Sequence, residues 1–348
     1  MENALKSLPP SLLNVLAAYA SLTPPKFIEF PENISFAEAQ EFFLKHLLLN
    51  KHFEKYPPSK QYDESFWKWA VEKLEKLAKA EGAEIDEQIY DRYLTLMSLS
   101  SPLVIPKGPP DASYLTYVWK TPDGAWDHAT VLESRTTIEE GTTGLKTWPA
   151  SLILAEYLIQ NPELVAGKKV LELGCGAGLL GIITASLQQT AGTNGSLYLT
   201  DVRPDVLRRC ESNVVLPCNK SSQHSNVHYE LLNWADAISD STAGEVKDKI
   251  AQIAPDIVLG ADVLFDPSDI PALVKVLDIA LQSLEGTRQA LIALTIRNAD
   301  TVKGFLDAAG QQLEVEELQL PPSNGIFLGV SQERKTDIVK IYKLQYTK

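Results

Sequence analysis

The feature that most constrains this chain is a glycine-rich turn directly after a short apolar run. Residues 170–182 read Val-Leu-Glu-Leu-Gly-Cys-Gly-Ala-Gly-Leu-Leu-Gly-Ile. The first four residues predict a buried strand, and the apolar run that begins at Leu179 predicts a helix. Gly174, Gly176 and Gly178 allow a sharp turn between them because glycine has no Cβ. Such a strand, turn and helix N-terminus present backbone N–H groups to a ligand, so we expect a nucleotide-type cofactor here.

The glycine spacing by itself leaves the class of cofactor open. Gly176-x-Gly178-x-x-Gly181 also matches the dinucleotide fingerprint, so the glycines do not separate an NAD-dependent dehydrogenase from a methyltransferase. Asp201 ends the next predicted strand, where a carboxylate can accept hydrogen bonds from ribose hydroxyls. The alternative for Asp201 is a helix N-cap before Pro204.

Acidic and aromatic residues after the strands favour one of these classes. Glu172 lies inside the first strand, where a carboxylate would repel a pyrophosphate but complement a sulfonium and an α-amino group. Asp262 and Phe265 follow the fourth strand, at the edge where ligands bind in open α/β sheets. The alternative is that Asp262 caps a helix near Ser268 while Phe265 is core. Trp234, after the third strand, can cover an adenine face or serve as core or lid.

Composition narrows the class of partner. The 348 residues carry a formal net charge of −13, which suits a nucleic-acid backbone poorly because that backbone is bound through lysine and arginine. The three cysteines, Cys175, Cys210 and Cys218, lack metal-type spacing, and free thiols are typical of a reducing compartment. There is neither a signal-peptide pattern nor an apolar run of about 18 residues. We therefore expect a cytoplasmic protein with no metal, no direct nucleic-acid contact and no membrane contact.

The chain divides into three predicted parts. Residues 1–100 alternate helical patterns with proline-rich breaks, and Ser35 with Glu38 predicts a capping box. Residues 101–147 predict a proline-rich linker and a β-hairpin. In residues 148–348 helices and strands alternate, which predicts a doubly wound, mostly parallel α/β sheet with an antiparallel hairpin at its C-terminal end.

Predicted elements can be stated residue by residue. The last N-terminal helix is expected from about Asp86 to Leu99, and the hairpin strands are expected at 114–119 and 128–132. His46 and His52 lack metal-ligand partners at suitable spacing, so we expect structural roles for them. The predicted strands of the last part are 168–173, 196–200, 226–231, 256–260, 289–296, 313–320 and 337–346. The apolar faces of the N-terminal helices comprise Leu12, Leu13, Leu16, Tyr19, Phe42, Phe43, Leu47, Phe66, Trp69, Leu74, Leu77, Ile89, Tyr93 and Leu96.

Several of these motifs resemble seven-β-strand S-adenosylmethionine-dependent methyltransferases. Val170–Gly181 resembles the first motif of that superfamily. Asp262-x-x-Phe265 resembles the acidic-x-x-aromatic motif of its protein-lysine methyltransferase branch. The segment Thr-Gly-Leu-Lys-Thr-Trp-Pro-Ala at 143–150 is similar to a short tryptophan-containing segment of that branch.

Other motifs resemble the elongation factor 2 lysine methyltransferases within this branch. They are Phe53-x-x-Tyr56-Pro-Pro-Ser59-x-x-Tyr62 with Phe66, and Thr295-Ile-Arg-Asn298 after the fifth strand. The resemblance thus covers nearly the whole chain. It implies transfer of methyl groups from S-adenosylmethionine to a lysine of elongation factor 2, with the N-terminal helices helping to dock that partner. We expect a monomer.

The resemblance also implies roles for individual residues. Trp148 would pack against the cofactor, and the backbone of Gly174, Cys175 and Gly176 would hold its methionine part. Asp201 would bind the ribose, Trp234 would lie by the adenine, and Ala261 would line the pocket. Phe265 stands where tyrosine is commoner, which puts in doubt any mechanism that needs a phenol hydroxyl.

A chemical role for the acidic and aromatic pair follows from the reaction. A lysine nucleophile has an ordinary pKa near 10.4 and must lose a proton before it attacks a methyl group. We expect Asp262 to attract and orient the ammonium, while Phe265 holds it by cation–π attraction. Both are predicted catalytic residues, and Glu172 joins the predicted cofactor-binding set.

Other functions remain as alternatives. Glu172 and the lack of a convincing catalytic His or Tyr-Lys pair disfavour a dehydrogenase. A nucleic-acid amino-methyltransferase would show Asn/Asp-Pro-Pro-aromatic where this chain has Asp262-Val-Leu-Phe265. A methyltransferase-fold binding or assembly module without catalysis, and a methyltransferase of another protein, stay open.

Overall fold

The computed structural model describes residues 1–99, 112–139, 141–282, 288–320, 325–330 and 338–346. Two compact units are present, Met1–Thr137 with Ile326–Glu333, and Ile138–Gly325 with Arg334–Lys348. The predicted domain boundaries after residues 100 and 147 stay predictions. The prolines of the predicted linker, Pro102 to Pro110, lie outside the described residues.

The first unit begins with α-helices. Their bounds are α1 Glu2–Ser7, α2 Pro10–Ala20, α3 Phe36–Glu41, α4 Lys51–Lys55, α5 Lys60–Glu81 and α6 Glu87–Leu99, with a π-helical segment Phe42–Leu48 and a 3₁₀ turn Pro25–Phe27. The predicted capping box is confirmed, since the Ser35 side chain accepts from the Glu38 backbone N–H and the Glu38 carboxylate accepts from that of Ser35. These reciprocal bonds satisfy N–H groups that the first turn of a helix leaves free.

Most of the predicted apolar faces form the core of this unit. Leu16, Phe66 and Ile89 are fully buried. The predicted face of α5 is confirmed only in part: Trp67, which is not among the predicted residues, is 1% exposed, whereas the predicted Trp69 is half-buried and packs edge-on against Phe43. Along α5 the buried positions recur three or four residues apart, and this period brings Trp67 rather than Trp69 to the centre of the core face.

The predicted hairpin is confirmed in the same unit. Strand β1, Ser113–Lys120, pairs antiparallel with β2, Trp126–Glu133. The buried His52 ring lies 2.9 Å from the Thr116 hydroxyl of β1, and burial lowers the pKa of His52 to about 3. A neutral, hydrogen-bonded imidazole in this place is a packing element of the unit.

The second unit contains a seven-stranded sheet. Its strands are β3 Lys169–Leu173, β4 Ser196–Asp201, β5 Val227–Leu231, β6 Ile257–Ala261, β7 Gln289–Thr295, β8 Glu314–Glu317 and β9 Val339–Gln345. Their order is β5-β4-β3-β6-β7-β9-β8. The five strands from β5 to β7 are parallel, and β9 is antiparallel to both of its neighbours. The predicted fold class is therefore confirmed, with β8 shorter than expected.

Helices flank this sheet. They are α7 Pro149–Gln160, α8 Leu179–Ala191, α9 Pro204–Val214, α10 Ala243–Ile253, α11 Ile270–Leu281 and α12 Ala299–Ala309. The chain runs outward from β3 through β4 to β5, then returns to β6 on the other side of β3. The carboxyl ends of β3 and β6 thus flank the point where the strand order reverses, which is where open α/β sheets bind ligands.

Two features are absent from the described residues. None of the helices there combines the length and the apolar character needed to cross a bilayer. In the same part of the chain no group of three or more His, Cys, Asp or Glu side chains is arranged to hold a metal ion.

Candidate cofactor and substrate site

A pocket of about 230 Å³ lies at the carboxyl edge of the sheet in the second unit. The structure brings all ten sequence-predicted site residues to its wall: Trp148, Glu172, Gly174, Cys175, Gly176, Asp201, Trp234, Ala261, Asp262 and Phe265. Eight of them come from β3, β4 and β6 or from the turns that follow these strands, whereas Trp148 is the N-cap of α7 and Trp234 begins a 3₁₀ turn after β5. Their individual roles stay predictions.

The backbone of the glycine turn after β3 and of the helix that follows it leaves no room for a Cβ at two glycines. Gly178 has a φ of +92°, and a Cβ there would lie 2.8 Å from the Sγ of Cys210. A Cβ on Gly181 would lie 2.8 Å from a methyl carbon of Leu199 in β4. Gly178 therefore serves the turn, and Gly181 lets α8 approach the sheet closely. The dinucleotide-like spacing thus has a packing explanation that needs no dinucleotide.

Glu172 is a buried carboxylate in the pocket wall. Its side chain is 2% exposed, and its Oε2 has no hydrogen-bond partner among the described residues. Burial, with a smaller contribution from Asp201, raises the pKa of Glu172 to about 8. An unsatisfied buried carboxyl group is costly unless a ligand supplies a donor or a positive charge. The α-amino group of S-adenosylmethionine is such a ligand group, so the residues present fit this cofactor.

Asp201 lies beside the glycine turn. Its Oδ2 accepts a 3.4 Å hydrogen bond from the Gly176 N–H, and its Oδ1 accepts one of 3.1 Å from the Arg203 N–H. The alternative of a helix N-cap is wrong, since Arg203 occupies the N-cap position of α9. Burial raises the pKa of Asp201. Each of its oxygens can accept further bonds, so the carboxylate can still bind hydroxyl donors.

Two tryptophans form aromatic parts of the wall. Trp234 begins a 3₁₀ turn that the Asn233 side chain caps by accepting from the Ala235 N–H. A Cβ on Gly174 would lie 3.7 Å from the Trp234 ring, so this indole lies against the glycine turn while it also packs on the core of the unit. The indole N–H of Trp148 donates to the Thr143 carbonyl at 3.1 Å.

The Asp262 carboxylate faces donors at the end of the neighbouring strand. It accepts from the Thr295 N–H at 2.8 Å and from the Thr295 hydroxyl at 2.7 Å. An Arg297 Nη2 lies 3.2 Å from its Oδ2, and the Asp262 side chain is 5% exposed. The alternative of a helix cap near Ser268 is wrong, since Asp266 accepts from the Ser268 N–H. Asp262 is instead the hydrogen-bonding centre of the β6 and β7 ends.

Phe265 marks the outer part of the pocket. The residue is 75% exposed, so the alternative that it is core is wrong. Asp269 lines the same pocket, and burial together with the nearby Asp266 raises the pKa of Asp269. An exposed ring and a carboxylate at one opening suit a cationic group better than an anionic one.

For three of these residues no role at the site is predicted from the sequence. Thr295 and Arg297 belong to a motif that resembles the elongation factor 2 lysine methyltransferases. Their place at the end of an apolar strand and just after it indicates the ligand edge of the sheet. Asp269 carried a weaker signal, as a carboxylate directly before the apolar run of α11. Their contacts with the pocket depend on the fold.

Known proteins with similar sequences indicate the family of this chain. A family profile described as lysine methyltransferase matches residues 128–312. The protein-lysine N-methyltransferase EEF2KMT of Bos taurus is 31% identical over 279 residues, which cover 77% of this chain and 75% of that protein. The protein-lysine N-methyltransferase EFM3 of Chaetomium thermophilum is 33% identical over 247 residues, covering 68% and 70%.

Solved structures include distant matches. A TehB-like SAM-dependent methyltransferase from Corynebacterium glutamicum has 15% sequence identity and a TM-score of 0.35, covering 59% of this chain and 90% of that one. The sequence matches are more telling, because the family profile spans more than half of the chain and includes the glycine turn, Asp262 and Phe265. On this evidence the chain belongs to the lysine methyltransferase family.

Proposed function

We propose that this chain methylates a lysine of elongation factor 2. Lysine methylation with S-adenosylmethionine as the methyl donor is the activity of its family, and the identity of the substrate is the proposed step. Relatives that bear the names EEF2KMT and EFM3 support it, as do the motifs between Phe53 and Phe66. The observation that carries the lysine chemistry is the exposed Phe265 on the pocket that the glycine turn lines.

The cofactor end of the pocket is assigned first. When bound, S-adenosylmethionine supplies an electrophilic methyl group on a positively charged sulfur. We assign Glu172 to its α-amino group, the backbone of Gly174, Cys175 and Gly176 to its methionine part, and Asp201 to its ribose. Trp234 packs by the adenine, and Trp148 and Ala261 close the wall.

At the substrate end, the chain must position a lysine and favour its neutral form. The Phe265 ring holds the cationic head as it enters, a contact of about 0.5–2 kcal/mol. Asp269 attracts the same head through its charge. A pocket that excludes water then lowers the pKa of the lysine, because burial disfavours an ammonium. The amine lone pair can then align with the methyl group, which is the main requirement of a displacement.

Asp262 is proposed to orient the nucleophile while it fixes the pocket wall. Three donors already face its carboxylate, yet two carboxylate oxygens can together accept about four hydrogen bonds. Asp262→Asn should lower kcat at least about tenfold through lost orientation, with the cofactor Kd nearly unchanged. Asp278→Asn is a matched control, because Asp278 is also a nearly buried, ion-paired carboxylate. Full kcat in the Asp262 variant would remove this role.

The helices of the first unit are proposed to dock the large protein substrate. Leu94 and Met97 of α6 are 59% and 42% exposed and lie three residues apart on one helical face. Replacing both with serine should raise the KM for elongation factor 2 and leave the cofactor Kd unchanged. An unchanged KM would show that this face of α6 takes no part in docking. A cytoplasmic location and a monomeric state stay predictions.

The decisive experiment is mass spectrometry of elongation factor 2 after incubation with the full chain and S-adenosylmethionine. We expect methyl groups on one lysine, and none after that lysine is replaced with arginine. Asp262→Asn serves as the enzyme control. Methylation of a different protein in a cell extract, with elongation factor 2 left unmodified, would contradict the proposed substrate and leave the family activity intact.

A further inference from the structure

Arg297 connects two parts of the pocket wall that come from distant stretches of the chain. Its guanidinium carbon lies 4.7 Å from the centre of the Trp148 ring. Its Nη2 lies 3.2 Å from the Oδ2 of Asp262. Arg297 itself follows the end of β7, and its backbone N–H donates to the Thr295 carbonyl at 2.9 Å. One side chain thus contacts both the aromatic wall and the acidic residue.

Each contact of this guanidinium is of a kind that restricts motion. A planar guanidinium can stack on an indole and still direct an N–H group at a carboxylate, which the compact ammonium of lysine cannot do equally well. The Trp148 ring is also held at its polar edge, by the hydrogen bond from Nε1 to the Thr143 carbonyl. With Arg297 over its face, the ring has a fixed position in the wall.

Asp262 is the second part that Arg297 fixes. The backbone of Asp262 has a φ of +52°, an unusual conformation for a residue other than glycine. Its two side-chain bonds to Thr295 hold this conformation, and the guanidinium compensates the charge of the nearly buried carboxylate. Among the described residues, only the neutral donors of Thr295 would remain hydrogen-bonded to this carboxylate once the cation is removed, and an uncompensated charge favours turning toward water.

We propose that Arg297 is a positioning residue for the methyl-transfer reaction. It fixes the Trp148 ring against the cofactor pocket and the Asp262 carboxylate at the substrate end, so that both walls keep one arrangement. The inference rests on the proposed function for the role of Asp262. Its effect on cofactor binding concerns only the pocket and does not depend on which protein is methylated.

The test is a double-mutant cycle on cofactor binding with the full chain. We expect Arg297→Gln to raise the Kd for S-adenosylmethionine about fivefold, the ratio that corresponds to about 1 kcal/mol of cation–π contact. Because Arg297 acts through the ring, the same change should have almost no further effect in a Trp148→Leu background. Additive effects of the two changes, measured by calorimetry, would overturn the proposal.

Two more measurements separate positioning from general stability. The fluorescence of Trp148 is the part of the tryptophan emission that is lost in Trp148→Leu. This emission should shift to longer wavelength in Arg297→Gln, since the guanidinium no longer covers the ring. With saturating cofactor, kcat should fall more than the KM for the protein substrate changes. Arg297→Lys should restore part of kcat through its charge but little of the emission shift.

Lys275→Gln is the matched control. Lys275 is 46% exposed and pairs with the 6% exposed Asp278, whereas Arg297 is 42% exposed and pairs with the 5% exposed Asp262. An equal loss of cofactor affinity in both variants would reduce Arg297 to an ordinary stabilising residue and refute the proposal. If the wild-type chain leaves elongation factor 2 unmethylated while the cycle shows coupling, the proposed substrate fails and the role of Arg297 at the cofactor wall stands.

Discussion

Glu172 allows a quantitative prediction, because its side chain is ionisable and nearly completely buried in the pocket wall. Burial raises its pKa from 4.5 to about 8. The folded protein therefore binds a proton that the unfolded chain releases between these two pH values. The free energy of unfolding should fall as the pH rises from 4.5 to about 8, since in this range the folded state binds more protons than the unfolded state. A difference of this size corresponds to at most about 5 kcal/mol in all, or about 1.4 kcal/mol per pH unit.

Glu172→Gln removes this titration and keeps the shape of the side chain. The free energy of opening of β3, measured by amide hydrogen exchange without cofactor from pH 5 to pH 8, should fall more steeply with pH in the wild type than in the variant. The difference between variant and wild type should therefore grow by up to about 1.4 kcal/mol per pH unit. A constant offset from burying an amide does not change this slope.

A second buried carboxylate provides the control. The hydrogen bond from Tyr346 and the neighbouring Lys275 lower the pKa of Asp278 against the opposing effect of burial. Its contribution to stability is present above its unfolded pKa and is lost only as the pH falls below that range. Asp278→Asn should thus differ from the wild type by a constant amount between pH 5 and pH 8. Equal pH slopes for the wild type and Glu172→Gln would refute the reasoning about Glu172.

Cofactor binding tests the same carboxyl group in its functional state. At pH 7 a group with a pKa of about 8 holds its proton in about nine molecules of ten. Pairing with the α-amino group of the cofactor would ionise Glu172 and release about 0.9 proton. Calorimetry in buffers of different ionisation enthalpy measures this number, and Glu172→Gln should bind more weakly and release none. Wild-type binding without proton release would show that the carboxyl group stays neutral.

Three further predictions concern the turn and the outer pocket. Phe265→Ala should change the free energy of unfolding by no more than about 0.5 kcal/mol, since the ring is 75% exposed. The same change should raise the KM for the protein substrate about 2–30-fold. An unchanged KM in steady-state kinetics would contradict this role. Asp269→Asn should raise the same KM about two- to fivefold with kcat retained, and a fall in kcat alone would assign Asp269 to another step. Gly178→Ala should destabilise the chain by about 2 kcal/mol or more, because its φ is +92° and a Cβ would meet Cys210. Adding Cys210→Ala should recover part of this loss, measured by thermal unfolding. Strictly additive losses would exclude a clash between the new Cβ and Cys210.

Local sequence patterns were sufficient to predict most of the helices, strands and turns. Strands β3, β6 and β7 are short, mostly apolar runs, and such runs form buried parallel strands when helices alternate with them. The capping box at Ser35 and the turn at Gly178 depend on residues only a few positions apart. Their outcome therefore needed no knowledge of distant parts of the chain.

Long-range packing decided what these patterns left open. The segment near Gly329 belongs to the first unit, where Leu328 donates to the carbonyl of Val118. Nothing in the sequence around residue 329 indicates that partner. Likewise, Trp67 and Trp69 are equally apolar in sequence, and only the packing of α5 determines which of them is buried.

Asp262 shows most clearly which properties follow from the sequence and which require the tertiary structure. Its place after an apolar strand was enough to predict that it lies at the ligand edge of the sheet, because parallel strands align their carboxyl ends. The sequence by itself therefore determined the fold class, the family and ten of the residues that line the pocket. Only the tertiary structure decided that Thr295 and Arg297 face the carboxylate and that Arg297 also covers Trp148. These contacts join residues up to 149 positions apart, and only folding of the sheet sets the distances on which hydrogen bonds and charge pairing depend.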